Sequence, residues 1–186
     1  MPNFTADWFA TKTQAWKDFV VPRLSGKANA RWLEIGSYEG LSALWTLDHV
    51  LTGSNPLIFC VDIFDPVLAW AHLWGNVDYV KCFDANTADR PNVIKLKGTS
   101  STVLRILEGQ KFQGAYLDGD HHFDTVSTDL DLLWPLLEND APLICDDYDC
   151  SAHPEARKAI DGFLARPDVR HEVLFKDFQI IVRKLP

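Results

Sequence analysis

The sequence predicts an α/β fold: a doubly wound, mostly parallel sheet of seven strands that ends in an antiparallel C-terminal hairpin. Three observations carry this. Short continuous apolar runs alternate five times with segments of helical period, the pattern of doubly buried strands joined by crossover helices. Acids recur at or near the ends of those runs, at Glu34, Asp62, Asp118 and Asp146-Asp147. The last two apolar runs flank Lys176-Asp177 with no room for a crossover, so they read as a hairpin.

Trp8, Phe9, Trp16, Phe19 and Val20 recur at helical spacing, so residues 1–25 read as an amphipathic segment whose helix, 6–24, ends around Pro22. Arg31 to Gly36 is a short strand running into glycine. Gly40 to Leu51 is the next helix, stopped near Gly53-Ser54-Asn55-Pro56. Leu57 to Asp62 is an apolar strand ending in an acid. Helices are expected over Val67 to Trp74 and Asp78 to Asn86, then a strand over Asn92 to Lys97 and a helix over Ser101 to Glu108. Phe112 to Asp118 is the fourth strand. Val126, Leu130, Leu133, Trp134 and Leu137 form the helical stripe of residues 123–137. Ala141 to Cys145 is the fifth strand, Pro154 to Ala165 a helix with proline in its first turn, and His171 to Phe175 with Phe178 to Arg183 the terminal pair.

A chain of 186 residues fits one domain, 1–186, large enough for a self-sufficient core. A net charge of −8 argues against a general nucleic-acid binder, which needs a basic face, and against attraction to anionic membranes. Four cysteines are too few for a disulfide framework, the first residues lack a signal-peptide core, and no run approaches the roughly 20 apolar residues of a membrane span. The expectation is a reduced, cytoplasmic protein.

Ligands of such sheets bind at the carboxyl ends of the strands, near the point where strand order reverses. There Gly36 and Gly40 bracket a tight turn into a helix N-terminus, which lets backbone amides approach a ligand closely. Asp62, 22 residues beyond Gly40, ends the next strand, where a carboxylate can accept both hydroxyls of a ribose. A dinucleotide site would want glycine at position 38 to admit a pyrophosphate; Tyr38 obstructs one. An adenosyl cofactor without phosphate has no such requirement.

Glu34-x-Gly36-x-x-x-Gly40 resembles motif I of the class I S-adenosylmethionine-dependent methyltransferases. Three segments are similar to a narrower group: Phe83-Asp84-Ala85-Asn86, Lys97-Gly98-Thr99-Ser100, and Tyr116-Leu117-Asp118-Gly119-Asp120-His121 with Trp134. That group is the macrocin-type small-molecule O-methyltransferases, distantly similar to the catechol and caffeoyl-CoA enzymes. The resemblance spans about residues 30 to 183 and implies a Rossmann-like class I methyltransferase fold with S-adenosylmethionine as cofactor. It implies that Gly36, Ser37 and Gly40 line the methionine part, with Asp62 at the ribose, Ser100 near the adenine and Asp118 near the cofactor's amino group. Glu34 and Gly98, inside the same motifs, count with the cofactor-binding residues.

The fourth and fifth strands end in Asp118-Gly119-Asp120-His121-His122 and Asp146-Asp147-Tyr148-Asp149. Adjacent parallel strands lie about 5 Å apart, so these carboxylates repel unless a cation neutralises them, and their oxygens suit Mg²⁺, Mn²⁺ or Ca²⁺. The catechol-type resemblance implies metal ligation by Asp118, Asp146 and Asp147, with Asp147 standing where that group has Asn. It also implies that His121, three residues after Asp118 where those enzymes have a lysine, takes the proton from an acceptor hydroxyl. His121 and Asp118 are therefore the candidate catalytic residues. His153 could reach the same site, and Trp8, Trp16, Trp70 and Trp74 could wall an acceptor pocket. The acceptor itself, a sugar, a phenol or another small hydroxylated metabolite, is not written in the sequence; exposed aromatic helices would suit a homodimer. The rival readings are a nucleotide-sugar glycosyltransferase using Asp118-Gly119-Asp120, an NAD-linked oxidoreductase, and a non-catalytic protein that binds an adenosyl cofactor.

Overall fold

The computed structural model describes residues 2–65 and 78–186, so the helix expected over Val67 to Trp74, with Trp70 and Trp74, lies outside the described residues. The strands are β1 (Arg31–Ile35), β2 (Leu57–Asp62), β3 (Val93–Lys97), β4 (Gly114–Leu117), β5 (Pro142–Cys145), β6 (His171–Lys176) and β7 (Ile180–Lys184). The helices are α1 (Thr13–Phe19), α2 (Val21–Leu24), α3 (Leu41–His49), α4 (Tyr79–Thr87), α5 (Ser100–Ile106), α6 (Phe123–Leu133) and α7 (Pro154–Leu164).

The strands form one sheet in the order β3-β2-β1-β4-β5-β7-β6. The first five pair in parallel, and β7 runs antiparallel to both β5 and β6. The order reverses between β1 and β4, which opens the crevice at their carboxyl ends. Every residue of β4 and β5 is buried, as continuous apolar runs require. Side chains alternate between two cores. Leu33, Ile35, Ala115 and Leu117 face one, with Val126, Leu130 and Ile160. Trp32, Ile58, Cys60 and Tyr116 face the other, with Trp16, Ala43 and Phe83.

The N-terminal segment departs from the single helix its spacing predicts. A 3-10 turn, Ala10–Lys12, leads into α1, and a separate short helix, α2, follows. Asp7 accepts hydrogen bonds from the amides of Phe9 and Ala10 at 3.0 and 2.8 Å, so regular structure begins after it. Pro22 sits in the first turn of α2, where its missing N–H is harmless, and starts that helix instead of ending the preceding one. The stripe of residues 123–137 is likewise split, α6 ending at Leu133 and a 3-10 turn, Trp134–Leu136, following at Pro135.

Candidate active site

Register alone brings the strand ends together. Ile35 pairs with Val61 on one side and Leu117 on the other, and Leu117 pairs with Cys145. The next residues, Gly36, Asp62, Asp118 and Asp146, therefore share one edge of the sheet. Gly36 has a φ of +84°, and a Cβ there would stand 1.9 Å from the Asp118 carbonyl oxygen. Only glycine allows the β1 turn and the end of β4 to touch. Gly40, at φ +85°, is the N-cap of α3.

Asp62 is committed to that turn. Its Oδ2 accepts from the amides of Ser37 and Tyr38 at 3.1 and 3.0 Å, and its Oδ1 from the amide of Phe64 and the hydroxyl of Tyr79, both at 3.0 Å. A carboxylate offers about four acceptor positions, and all four are taken. Tyr38 itself, at φ +44°, stacks on Tyr79 with ring centroids 5.2 Å apart.

Glu34 does not join the row of acids. One residue short of the strand end, its side chain alternates onto the face covered by α3 and is fully buried, receiving the Ser42 hydroxyl at 3.0 Å. Burial pushes its carboxyl up to about 8 against the opposing pull of that hydroxyl, so it is protonated at neutral pH.

A cleft enclosing about 400 Å³, part of it open to solvent, is lined by Gly36, Ser37, Tyr116, Asp118 and, from the N-terminal segment, Phe9 and Lys12. Ser37 is buried, and its hydroxyl interacts with the Glu34 carboxyl and the Cys60 thiol beneath the turn. Trp8 also lines this cleft, whereas Trp16 is fully buried in the core. Gly98 and Ser100 stand at the β3–α5 turn, outside the cleft lining.

Asp118, Asp146 and Asp147 converge, offering one carboxylate oxygen each within 4.8 Å of one another. Unit charges about 4 Å apart repel by roughly 4 kcal/mol at an effective dielectric of about 20. Each acid has a compensating partner. Lys12 Nζ is ion-paired with Asp146 and lies 3.5 Å from the Tyr116 hydroxyl. That hydroxyl donates to Asp118 Oδ2 at 2.8 Å. Gln179 Nε2 donates to Asp146 Oδ1 at 2.8 Å, and Trp16 Nε1 donates to Gln179 Oε1 at 2.9 Å.

His121 Nε2 lies 2.6 Å from Asp147 Oδ2 without directed hydrogen-bond geometry, and its ring stacks on His153 at 3.9 Å. His121 lines a second, smaller cavity with Asp118 and Asp146, not the main cleft. Asp147 has a φ of +51°, a conformation uncommon outside glycine that turns its carboxylate toward His121.

Burial and then the Asp146 charge raise the Asp118 carboxyl well above the usual range, opposed by Lys12 and Tyr116. Burial alone would also raise Asp147, but His121, Lys12 and His153 hold it below the ordinary value. Desolvation works against the Lys12 ammonium, yet Asp118 and Asp146 outweigh it and raise its affinity for the proton.

The sequence reading placed Asp118, Asp146, Asp147 and His121 in one neighbourhood and passed over Lys12, Tyr116 and Gln179. Tyr116 carried a signal, since residues i and i+2 of a strand share a face. Gln179 stood as a lone amide beside the apolar run of β7. Lys12 carried none.

A family profile described as "Methyltransferase domain" matches residues 33–148, more than half of the chain. Among curated proteins none matches significantly. Solved structures of similar shape include an O-methyltransferase from Bacillus cereus in complex with SAH, at 16% identity and TM-score 0.65, covering 97% of this chain and 84% of that one. Another is CalS11, a TDP-rhamnose 3'-O-methyltransferase of calicheamicin biosynthesis, at 17% identity and TM-score 0.61, covering 95% and 81%. An rRNA methylase from Streptococcus thermophilus shares the architecture too, at 10% identity and TM-score 0.66, covering 99% and 100%. At such identities these neighbours speak for the fold, and the profile for the family. The chain belongs to the class I, S-adenosylmethionine-dependent methyltransferases.

Proposed function

We propose that this enzyme methylates a hydroxyl of a small metabolite, a sugar or a phenol. The observation that carries the reading is one cleft with two kinds of wall: the Gly36-Ser37 turn, and Asp118 with Lys12. When bound, S-adenosylmethionine supplies an electrophilic methyl group, so the protein needs no nucleophile of its own. Gly36, Ser37 and Gly40 would hold the methionine part, with Glu34 a neutral support beneath them. Gly98 and Ser100 would meet the adenine, and Asp62 the ribose once one of its four donors gives way. Asp118 would receive the cofactor's amino group.

The protein's remaining work is to hold the acceptor oxygen in line and remove its proton. His121, oriented by Asp147, is the proton acceptor in this reading. The acidic surface, at net charge −8, supports a small-molecule acceptor over RNA, and no helix among the described residues is long and apolar enough to cross a membrane. A cytoplasmic setting and self-association as a homodimer belong to the same reading.

Asp118, Asp146 and Asp147 would be the ligands of Mg²⁺, Mn²⁺ or Ca²⁺, and their oxygens suit such ions. The arrangement as it stands does not fit one. Lys12 is ion-paired with Asp146, the Tyr116 hydroxyl is on Asp118, and His121 is against Asp147. No step here passes through a metal.

Calorimetry with S-adenosylhomocysteine, and with NAD and a UDP-sugar as controls, tests the function. Binding of the first alone is expected. Heat only with NAD or the UDP-sugar would overturn the methyltransferase assignment of this cleft.

A further inference from the structure

We propose that Lys12 is the resident cation of the Asp118–Asp146–Asp147 cluster and takes the place of a divalent ion on those three acids. The inference rests on the methyltransferase reading above and concerns the same site.

Lys12 is not a surface lysine resting on a convenient acid. Its side chain is 11% exposed and that of Asp146 3%, so solvent is largely excluded from the pair. The segment that delivers it is pinned along its length. The amide of Asn3 donates to Asn86 Oδ1 at 2.8 Å, and Asn86 Nδ2 returns a bond to the Asn3 carbonyl at 3.1 Å. The amide and hydroxyl of Thr5 both donate to the buried Glu39 carboxylate at 2.8 Å. Asp7 caps the 3-10 turn whose last residue is Lys12, and Phe9 packs edge-on against Trp16 at 5.0 Å.

The cluster is organised around the ammonium. Asp146 receives Lys12 on one oxygen and Gln179 on the other, and Gln179 is itself held by Trp16. Lys12 reaches the Tyr116 hydroxyl, which donates to Asp118, so that hydroxyl links the cation to the second acid. A Mg²⁺ ion with near-octahedral oxygen ligands would have to expel this ammonium before it could use Asp146. An ammonium has three donors, and Lys12 lines the cleft beside Asp118. It can therefore hold an acceptor oxygen there and favour its ionised form, which is the service a metal would otherwise give.

The test is Mn²⁺ binding to the full chain, read as loss of the free-ion paramagnetic resonance signal. The wild type, Lys12→Arg, Lys12→Met and Lys12→Gln are compared, with S-adenosylhomocysteine calorimetry on each. The wild type and Lys12→Arg are expected to leave Mn²⁺ free. Lys12→Met and Lys12→Gln should bind one Mn²⁺ at least about tenfold more tightly, because removing one partner leaves a buried charge unpaired. Adding Asp146→Asn should abolish that gain. Tight Mn²⁺ binding by the wild type overturns the proposal whatever the variants do, and so does a folded Lys12→Gln with no gain. Failure of S-adenosylhomocysteine to bind the wild type would sink the methyltransferase reading instead, and the two results are read independently.

Discussion

The two halves of the sheet edge keep their carboxylates by opposite means. At the β2 end, Asp62 is satisfied by neutral donors, among them the amides of Ser37, Tyr38 and Phe64 from the turns on either side of it. At the β4–β5 end, Asp146 depends on a cation 134 positions away in sequence. The first half is a turn held by its own hydrogen bonds. The second is a charge balance that a ligand or ion can upset. Rigidity belongs to the β2 end and exchangeable electrostatics to the β4–β5 end.

The largest expected effect comes from breaking the joint between the halves. Gly36→Ala puts a Cβ into the Asp118 carbonyl at a positive φ, and should destabilise the fold by more than about 4 kcal/mol in urea unfolding. A loss under about 1 kcal/mol would show that the halves do not meet as described.

Next is Glu34, the neutral acid beneath the turn. Its folded pKa of about 8 lies above the ordinary 4.5, so between those values the folded chain keeps a proton that the unfolded chain has released. Wild-type stability therefore falls as pH rises through this window. Glu34→Gln has no such proton to lose. Its stability relative to the wild type should grow by up to about 4 kcal/mol between roughly pH 5 and pH 8, at about 1.4 kcal/mol per pH unit. A flat difference across that range would mean that Glu34 is ionised in the fold.

The smallest effect is on the turn itself. Asp62→Asn keeps an acceptor for part of the turn but loses the charge, and should weaken S-adenosylhomocysteine about tenfold, or about 1.4 kcal/mol, with the Mn²⁺ behaviour of the other half unchanged. If both halves respond, the separation between them fails.

This contrast also marks what could be read before folding. Strands buried on both faces must be continuously apolar, so Leu57 to Asp62 and Ala141 to Cys145 announced themselves, and parallel register then carried their terminal acids to one edge. Asp62 reads from its place at a strand end as a ribose ligand, and its commitment to the amides of Ser37, Tyr38 and Phe64 has no signal in the sequence. Glu34 reads with the edge acids because it stands at the end of an apolar run, while its one-residue offset from the strand end, which sends it into the core, depends on where the strand stops. Pro22 could stop one helix or start another, and only the break at Val20 decides. Lys12 lay on a segment read as an amphipathic helix, and nothing local distinguishes a lysine bound for solvent from one bound for Asp146.

The N-terminal segment contributes Phe9 and Lys12 to a cleft whose other wall is the Gly36-Ser37 turn. One piece of chain thus touches both halves, and any coupling between their occupancies is thermodynamically reciprocal. Whatever factor a bound cofactor gains from the seated segment, the Lys12–Asp146 pair gains equally from the cofactor, and a competitor for Asp146 must loosen the cofactor by the factor with which the cofactor resists it.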